Sequence, residues 1–181
     1  MDATATSALQ IGSNSPGFSD LLGVDGKRYS LSSFDDARFL VVVFTSNGCP
    51  TVRAFEARLA EIDATYALDG VRVVAINANN PYLSPGDSHE EMQRRAGEKG
   101  FPFPYLKDED GAVARSYGAI STPHAFVFDE NRRLRYQGRI ADSRIPEKAT
   151  TSDLENALVD LLAGRPPRVP VTVPFGCSIV W

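Results

Sequence analysis

The sequence predicts an α/β domain, with a mixed β-sheet and helices on both faces of that sheet. Short apolar runs that are rich in β-branched residues, at 39–44 and 71–76, are typical of strands buried inside a sheet. Between them, residues 50–67 carry apolar side chains three and four positions apart, which is the spacing of one helix face. Strands that alternate with helices in this way favour a sheet with parallel strands.

Turn residues and helix caps predict the remaining elements. In 18–34, two short apolar segments flank a turn at 24–27, so we expect an N-terminal hairpin there. Asp87 precedes a helical stretch and is expected to cap it. The further predicted elements are, in chain order, a helix at 88–99, a short strand after 101–105, a helix at 112–117, a hairpin at 125–139 and a last helix at 152–164.

The chain is expected to form one domain between two less regular segments. Residues 1–17 are rich in Ser, Thr, Ala, Gly and Asn, which predicts a loosely ordered N-terminal arm. The domain itself spans 18–164. Residues 165–181 contain four prolines and no helical period, so we expect an extended tail. The apolar side chains of this tail favour packing on the domain, with Phe175 and Trp181 as anchors.

The composition excludes several classes of function. The 181 residues suit one domain with a sizeable core, and a net charge of −4 is not the footprint of a nucleic-acid binder. No apolar run is long enough to span a bilayer, and residues 1–17 lack the regions of a secretory signal. We therefore expect a cytoplasmic protein without nucleic-acid or membrane partners. Two cysteines and two histidines show no metal-ligand spacing, so we expect no metal.

Cys49 is the strongest candidate for a catalytic residue. It lies between a predicted buried strand and a predicted helix, with Pro50 at the first helical position. The N-terminus of a helix carries a partial positive charge and free N–H groups, and both favour the nucleophilic thiolate. The alternative interpretation is that Cys49 is a small buried apolar residue without a chemical role.

Five segments of the sequence carry a family resemblance. They are VVVFTSNGCP at 41–50, GVRVVAIN at 70–77, KGFPFPYL at 99–106, STPH at 121–124 and GCSIVW at 176–181. In this order they resemble the redoxin branch of the thioredoxin fold, which includes alkyl hydroperoxide reductases and thiol-specific antioxidant proteins. The chain is especially similar to redoxins whose first segment reads FTCNHCP. The resemblance implies a thioredoxin fold for the domain and a thiol oxidoreductase activity without organic cofactors.

The sequence departs from the dithiol pattern of this family. Val52 stands where dithiol thioredoxins have a second cysteine, and Ser46 stands where the FTCNHCP group has one. Ser121 replaces the cysteine that the group often has before its Thr-Pro pair. A disulfide within the loop of Cys49 is therefore excluded.

The peroxiredoxin pattern provides a second template. It implies that a hydroxyl three residues before the cysteine stabilises the thiolate, which assigns this role to Ser46 with Thr45 beside it. The pattern also uses an arginine, whose place in this chain is taken by Pro123. The arginines that remain as substitutes are Arg139 and Arg144.

Thr122, Pro123 and His124 are the candidate substrate-binding residues. In thioredoxin-like folds the proline of this segment is cis and faces the reactive cysteine, and its neighbour offers backbone groups to an extended peptide. The alternatives are an ordinary trans turn proline and a partly exposed histidine without a role.

Two hypotheses about function follow. In the first, Cys49 attacks a peroxide or a protein disulfide, and the second thiol comes from Cys177, from glutathione or from another protein such as thioredoxin. In the second, the protein is a redox-inactive thioredoxin-like module that binds a peptide or protein partner beside Pro123. For Cys177 two interpretations stay open, namely a resolving thiol near Cys49 and a packed apolar residue far from it.

Overall fold

The computed structural model describes residues 8–181, and these residues contain two sheets and four α-helices. The strands are β1 (Leu21–Gly23), β2 (Arg28–Tyr29), β3 (Phe39–Thr45), β4 (Val71–Asn77), β5 (Tyr105–Lys107), β6 (Ser121–Thr122), β7 (His124–Phe128), β8 (Leu134–Gly138) and β9 (Cys177–Ser178). The helices are α1 (Pro50–Tyr66), α2 (His89–Lys99), α3 (Ala112–Tyr117) and α4 (Asp153–Leu162).

The main sheet has seven strands in the order β2-β1-β5-β4-β3-β7-β8. Strand β3 lies inside the sheet, parallel to β4 and antiparallel to β7, and every residue of β3 is buried. A strand buried on both faces needs apolar residues at all positions, which is why 39–44 read as a continuous apolar run. The second sheet consists of β6 and β9 and lies at the end of the molecule where β3 leads into α1.

Two apolar cores cover the two faces of the main sheet. On one face, side chains from α1, α2 and α4 pack on alternate strand residues, among them Val41, Val43 and Val73. On the other face, α3 and the segment around Phe18 and Phe34 pack on the intervening residues. The predicted α/β class, with a mixed sheet and helices on both faces, is confirmed.

The N-terminal segment is attached to the sheet where the structure describes it. The Gly12 N–H donates to the Leu134 carbonyl (2.8 Å), and the Ser15 N–H donates to the Arg132 carbonyl (2.8 Å). The expectation of a loosely ordered arm over 1–17 is therefore wrong for this part, since backbone hydrogen bonds fix it beside β8. Residues 1–7 lie outside the described residues.

The cap predicted for α2 is also wrong. Ser88 is the N-cap, and its hydroxyl accepts the Glu91 N–H (3.3 Å). Asp87 belongs to a short 3-10 turn that precedes the helix, and this turn directs its carboxylate into the protein.

The C-terminal tail runs along β8 and then crosses to β6. The Gln137 N–H donates to the Pro170 carbonyl (3.0 Å), and the Thr172 N–H donates to the Gln137 carbonyl (3.0 Å). Strand β9 then pairs antiparallel with β6, so that Cys177 lies opposite Thr122. The tail thus ends beside the loop that carries Cys49.

Candidate active site at Cys49 and Cys177

Cys49 occupies the junction between β3 and α1. It is the N-cap residue of α1, with Pro50 directly after it, and its side chain is 2% exposed. Its carbonyl already accepts the first intrahelical hydrogen bond, from the Arg53 N–H (3.0 Å). The backbone N–H of Val52, in the first turn of the helix, lowers the pKa of the Cys49 thiol.

The loop before Cys49 is held by Asn47. The hydroxyl of Tyr105 donates to the Asn47 side-chain oxygen (2.7 Å), and the side-chain nitrogen of Asn47 donates to the Gly86 carbonyl (2.8 Å). The Asn47 carbonyl accepts from the Arg53 guanidinium (2.7 Å). These contacts fix the backbone that delivers Cys49 to the helix.

The second wall of the site is the strand β6. The Thr122–Pro123 peptide bond is cis, and the carbonyl of Thr122 accepts a hydrogen bond from the Cys49 thiol (3.3 Å). Pairing of β6 with β9 places Cys177 on the same edge. The groove beside Pro123 is therefore occupied by the tail of the same chain.

The close approach of the tail to this edge depends on Gly176. Its φ is +154°, and a Cβ atom at this position would lie 1.9 Å from the Thr122 carbonyl oxygen. Any side chain would push the tail off β6. Gly176 therefore determines that Cys177 reaches Thr122.

Cys177 is exposed, and it is paired with Thr122, whose carbonyl accepts the hydrogen bond from the Cys49 thiol. The interpretation of Cys177 as a packed apolar residue far from the site is therefore wrong. The guanidinium of Arg144 lies near this thiol and 5.7 Å from the centre of the Phe175 ring. The two cysteines, which lie 128 positions apart in the sequence, thus form one site.

The two thiols differ in acidity. Burial alone raises the pKa of Cys49, but hydrogen bonds from the Cys177 thiol, from the Val52 N–H and from Thr122 outweigh it, and the net pKa is lowered. Burial and the neighbouring Cys49 raise the pKa of Cys177 to about 11, against a smaller opposite effect of Arg144. Cys49 is therefore the more acidic thiol of the two.

The other candidate residues lie around this pair. The hydroxyl of Ser46 pairs with the hydroxyl of Thr122 (3.2 Å), so it supports the groove wall. Thr45 is the last residue of β3 and is paired in register with Asn77. Arg139 donates to Asp153 at the start of α4 (2.8 Å).

His124 is buried behind the groove. Its ring stacks on Phe126 at 4.4 Å, and its Nδ1 accepts the Ile120 N–H (3.4 Å). Burial lowers the pKa of His124 to about 4, so the ring is neutral at physiological pH.

Asp87 is the functional residue that the sequence analysis missed. Its carboxylate is 2% exposed and accepts four hydrogen bonds. The donors are the Asn47 N–H (2.6 Å), Asn77 Nδ2 (2.8 Å), Asn79 Nδ2 (2.9 Å) and the Ser84 hydroxyl (2.6 Å). Burial raises the pKa of this carboxyl, but the four donors outweigh it and the net pKa is lowered. The density of Asn, Ser and Asp directly after a buried strand is the one feature of the sequence that points to this cluster.

The described residues have the thioredoxin fold, with Cys49 at the N-terminus of the helix that follows β3. The Redoxin family model matches residues 10–158, and the chain belongs to this family. The predicted resemblance to thioredoxin-like redoxins is confirmed.

Two solved structures are similar over nearly the whole chain. An uncharacterized conserved protein from Geobacillus kaustophilus is 36% identical with a TM-score of 0.89, and the match covers 95% of this chain and 92% of that one. A hypothetical protein from Sinorhizobium meliloti 1021 is 34% identical with a TM-score of 0.89, over 97% of this chain and 96% of the other.

One curated relative is named for its enzymatic activity. The thiol-disulfide oxidoreductase ResA of Geobacillus thermodenitrificans (strain NG80-2) is 24% identical over 132 residues, which are 73% of this chain and 71% of that protein.

The contact between the thiols predicts coupled titration. In Cys177→Ala the Cys49 thiolate loses a donor, so the pKa of Cys49 is expected to rise. In Cys49→Ala the neighbouring charge is lost, so the pKa of Cys177 is expected to fall below about 11. The pH dependence of thiolate absorbance and of alkylation in the two variants measures both shifts. Cysteines that keep the wild-type pKa in both variants would contradict the contact.

The Asp87 cluster predicts a loss of stability with a defined pH dependence. Asp87→Asn replaces a charged acceptor, and one charge-assisted hydrogen bond is worth about 1.5–3 kcal/mol, so the free energy of unfolding at pH 7 is expected to fall by at least this much. The pKa of Asp87 is lower in the folded state, so the stability it contributes is present above the unfolded value of about 3.9 and is lost as the pH falls through the folded value.

Urea unfolding of wild type and variant between pH 7 and pH 3 tests this dependence. The difference between them should shrink below about pH 4. The exposed Asp36→Asn variant is the control and should follow wild type throughout. A pH-independent difference for Asp87→Asn would show that its charge is not what stabilises the loop.

Proposed function

We propose that this protein is a thiol-disulfide oxidoreductase in which Cys49 is the nucleophile and Cys177 is the resolving thiol. The observation that carries the proposal is the pairing of Cys177 with Thr122, the residue whose carbonyl accepts from the Cys49 thiol at the N-terminus of α1. Cys177 takes the place of the second cysteine that related proteins have in the loop of Cys49.

The reaction proceeds by two exchanges of thiol and disulfide. The Cys49 thiolate attacks one sulfur of a substrate disulfide, forms a mixed disulfide and releases the first substrate thiolate. The Cys177 thiol then loses its proton to that thiolate or to solvent and attacks the Cys49 sulfur. This step forms the Cys49–Cys177 disulfide and releases the second substrate thiolate, so the substrate gains two electrons and the protein loses them.

The acidity of the two thiols fits this order of events. The pKa of Cys177 is raised to about 11 and that of Cys49 is lowered, so Cys49 forms the thiolate more readily and is the group that attacks first. Once Cys49 is bound in a mixed disulfide, its charge no longer opposes ionisation of Cys177. The positive charge of Arg144 then favours the Cys177 thiolate.

The surroundings of Cys49 favour a disulfide over a peroxide as the substrate. The Ser46 hydroxyl is paired with Thr122, and Arg139 is bound to Asp153. Neither group is directed at the sulfur, where a peroxidase needs donors to the peroxide oxygens, and Arg144 lies over the Phe175 ring and beside Cys177 instead.

The reduced protein is restored by external thiols. Two equivalents, from glutathione or from a dithiol protein such as thioredoxin, return the electrons to Cys49 and Cys177. A cytoplasmic location, where such thiols are kept reduced, stays a prediction.

The rival hypothesis is a redox-inactive module that binds a peptide beside Pro123. Occupation of that groove by the tail disfavours it, because an external peptide competes with β9 for the edge of β6.

A trapping experiment with glutathione disulfide tests the proposal. Cys177→Ser lacks the resolving thiol, so it is expected to accumulate one glutathione on Cys49. Wild type is expected to form the intramolecular disulfide instead, and Cys49→Ser is expected to stay unmodified near pH 7. Intact-mass spectrometry with peptide mapping distinguishes the three products.

Two results would contradict the proposal. Glutathione on Cys177 in Cys49→Ser, as fast as on Cys49 in Cys177→Ser, would reverse the assigned roles. No reaction of Cys49 in either wild type or Cys177→Ser would favour the binding module.

A further inference from the structure

Two hydrogen bonds, together called the clasp, join the end of the tail to the loop that follows β4. The N–H of Val180 donates to the side-chain oxygen of Asn79 (2.9 Å), and the Asn80 N–H donates to the Val180 carbonyl (2.7 Å). Ile179, between Cys177 and this clasp, is buried in the core below α3. The position of Cys177 is therefore fixed from both sides, by β6 and by the loop.

The side chain of Asn79 connects this clasp to the loop of Cys49. Its nitrogen donates to Asp87 Oδ2 (2.9 Å), and the other oxygen of the same carboxylate accepts the Asn47 N–H (2.6 Å). An ionised carboxylate can only accept hydrogen bonds, so Asp87 pairs with the amide nitrogen of Asn79. The amide oxygen of Asn79 is thereby directed at the Val180 N–H. One buried carboxylate thus orients both the nucleophile loop and the residue that holds the tail.

The backbone of Asn79 is fixed independently. The ammonium of Lys107 is buried and donates to the Asn79 carbonyl (2.5 Å) and to the Asp87 carbonyl (3.0 Å). The Asn79 N–H donates to the Asn77 side-chain oxygen (3.1 Å). The side chain of Asn79 is therefore presented to the tail by a rigid support.

We propose that Asn79 is a positioning residue that latches the tail, so that Cys49 reacts with Cys177 in preference to thiols and disulfides outside the protein. This inference rests on the proposed redox role of the two cysteines and names what controls the choice of partner. A latched tail holds Cys177 at a high effective concentration and covers Cys49, and a released tail does neither.

The competition follows from the exchange chemistry. A mixed disulfide of Cys49 with glutathione is either resolved by Cys177, with release of glutathione, or reduced by a second glutathione, which leaves as glutathione disulfide. The effective concentration of Cys177 sets the ratio of these two outcomes. Loss of the latch shifts the ratio towards the external thiol.

The test uses Asn79→Ala with Asn80→Ala as its matched control. Asn80 holds the tail through its main-chain N–H, and its side chain accepts only from the Tyr82 N–H (3.0 Å), so this variant keeps the clasp. In glutathione buffers, the equilibrium constant for the Cys49–Cys177 disulfide is expected to fall about three- to tenfold in Asn79→Ala, as for the loss of one hydrogen bond. Asn80→Ala is expected to match wild type.

Trp181 provides a second readout that a general loss of stability does not move. It is the single tryptophan of the sequence, and the Arg115 guanidinium lies 4.4 Å from the centre of its ring. Its emission under native conditions is expected to shift towards that of a solvated indole in Asn79→Ala and to stay unchanged in Asn80→Ala.

A tail variant covers the case in which Asn79→Ala fails to fold. Val180→Pro removes the N–H that donates to Asn79 and leaves the hydrogen bonds of Asp87 unchanged. It is expected to lower the equilibrium constant to a similar extent. In the double variant Asn79→Ala/Val180→Pro, the equilibrium constant should be no lower than in either single variant, because all three variants lack the same hydrogen bond. Wild-type equilibrium constants in both Asn79→Ala and Val180→Pro would overturn the latch alone. Absence of the disulfide from wild type would overturn the proposed function, and the latch with it.

Discussion

The antiparallel pairing of Thr122 with Cys177 is the contact on which the geometry of the site depends. It brings Cys177, from the C-terminal tail, to the end of β3, where the first turn of α1 lowers the pKa of Cys49. Gly176 allows the two backbones to approach, and without this pairing the site contains one buried cysteine and an empty groove. The redox chemistry proposed for the pair follows from this single edge contact.

A buried polar cluster fixes the loop of Cys49 and the tail that carries Cys177 relative to each other. The Asp87 carboxylate accepts hydrogen bonds from the loop of Cys49 and from the loop after β4. Asn79, one of these donors, also accepts the Val180 N–H and so fixes the position of the tail. Such a cluster is costly to disrupt because each of its groups is buried and partnered. The thioredoxin fold supplies the helix terminus, whereas this cluster supplies the position of the second thiol.

The sequence predicted the parts of this arrangement that depend on local pattern. A buried strand, Cys49, Pro50 and an amphipathic helix are contiguous, so their geometry follows from periodicity and helix capping. The role of Asp87 was not predictable in this way, since one of its partners, Asn47, lies 40 positions away in another loop and a helix cap was the local alternative. Cys177 stayed undecided because a two-residue strand has no period and its partner lies far away in the sequence.

Disulfide mapping of the oxidised wild-type protein tests the central claim most directly. Tryptic digestion after mild oxidation separates Cys49, in peptide 39–53, from Cys177, in peptide 169–181. These two peptides are expected to be recovered as one disulfide-linked species from monomeric protein, and to separate on reduction. Oxidised protein in which Cys49 is modified while Cys177 stays a free thiol, or in which disulfides join different molecules only, would contradict it.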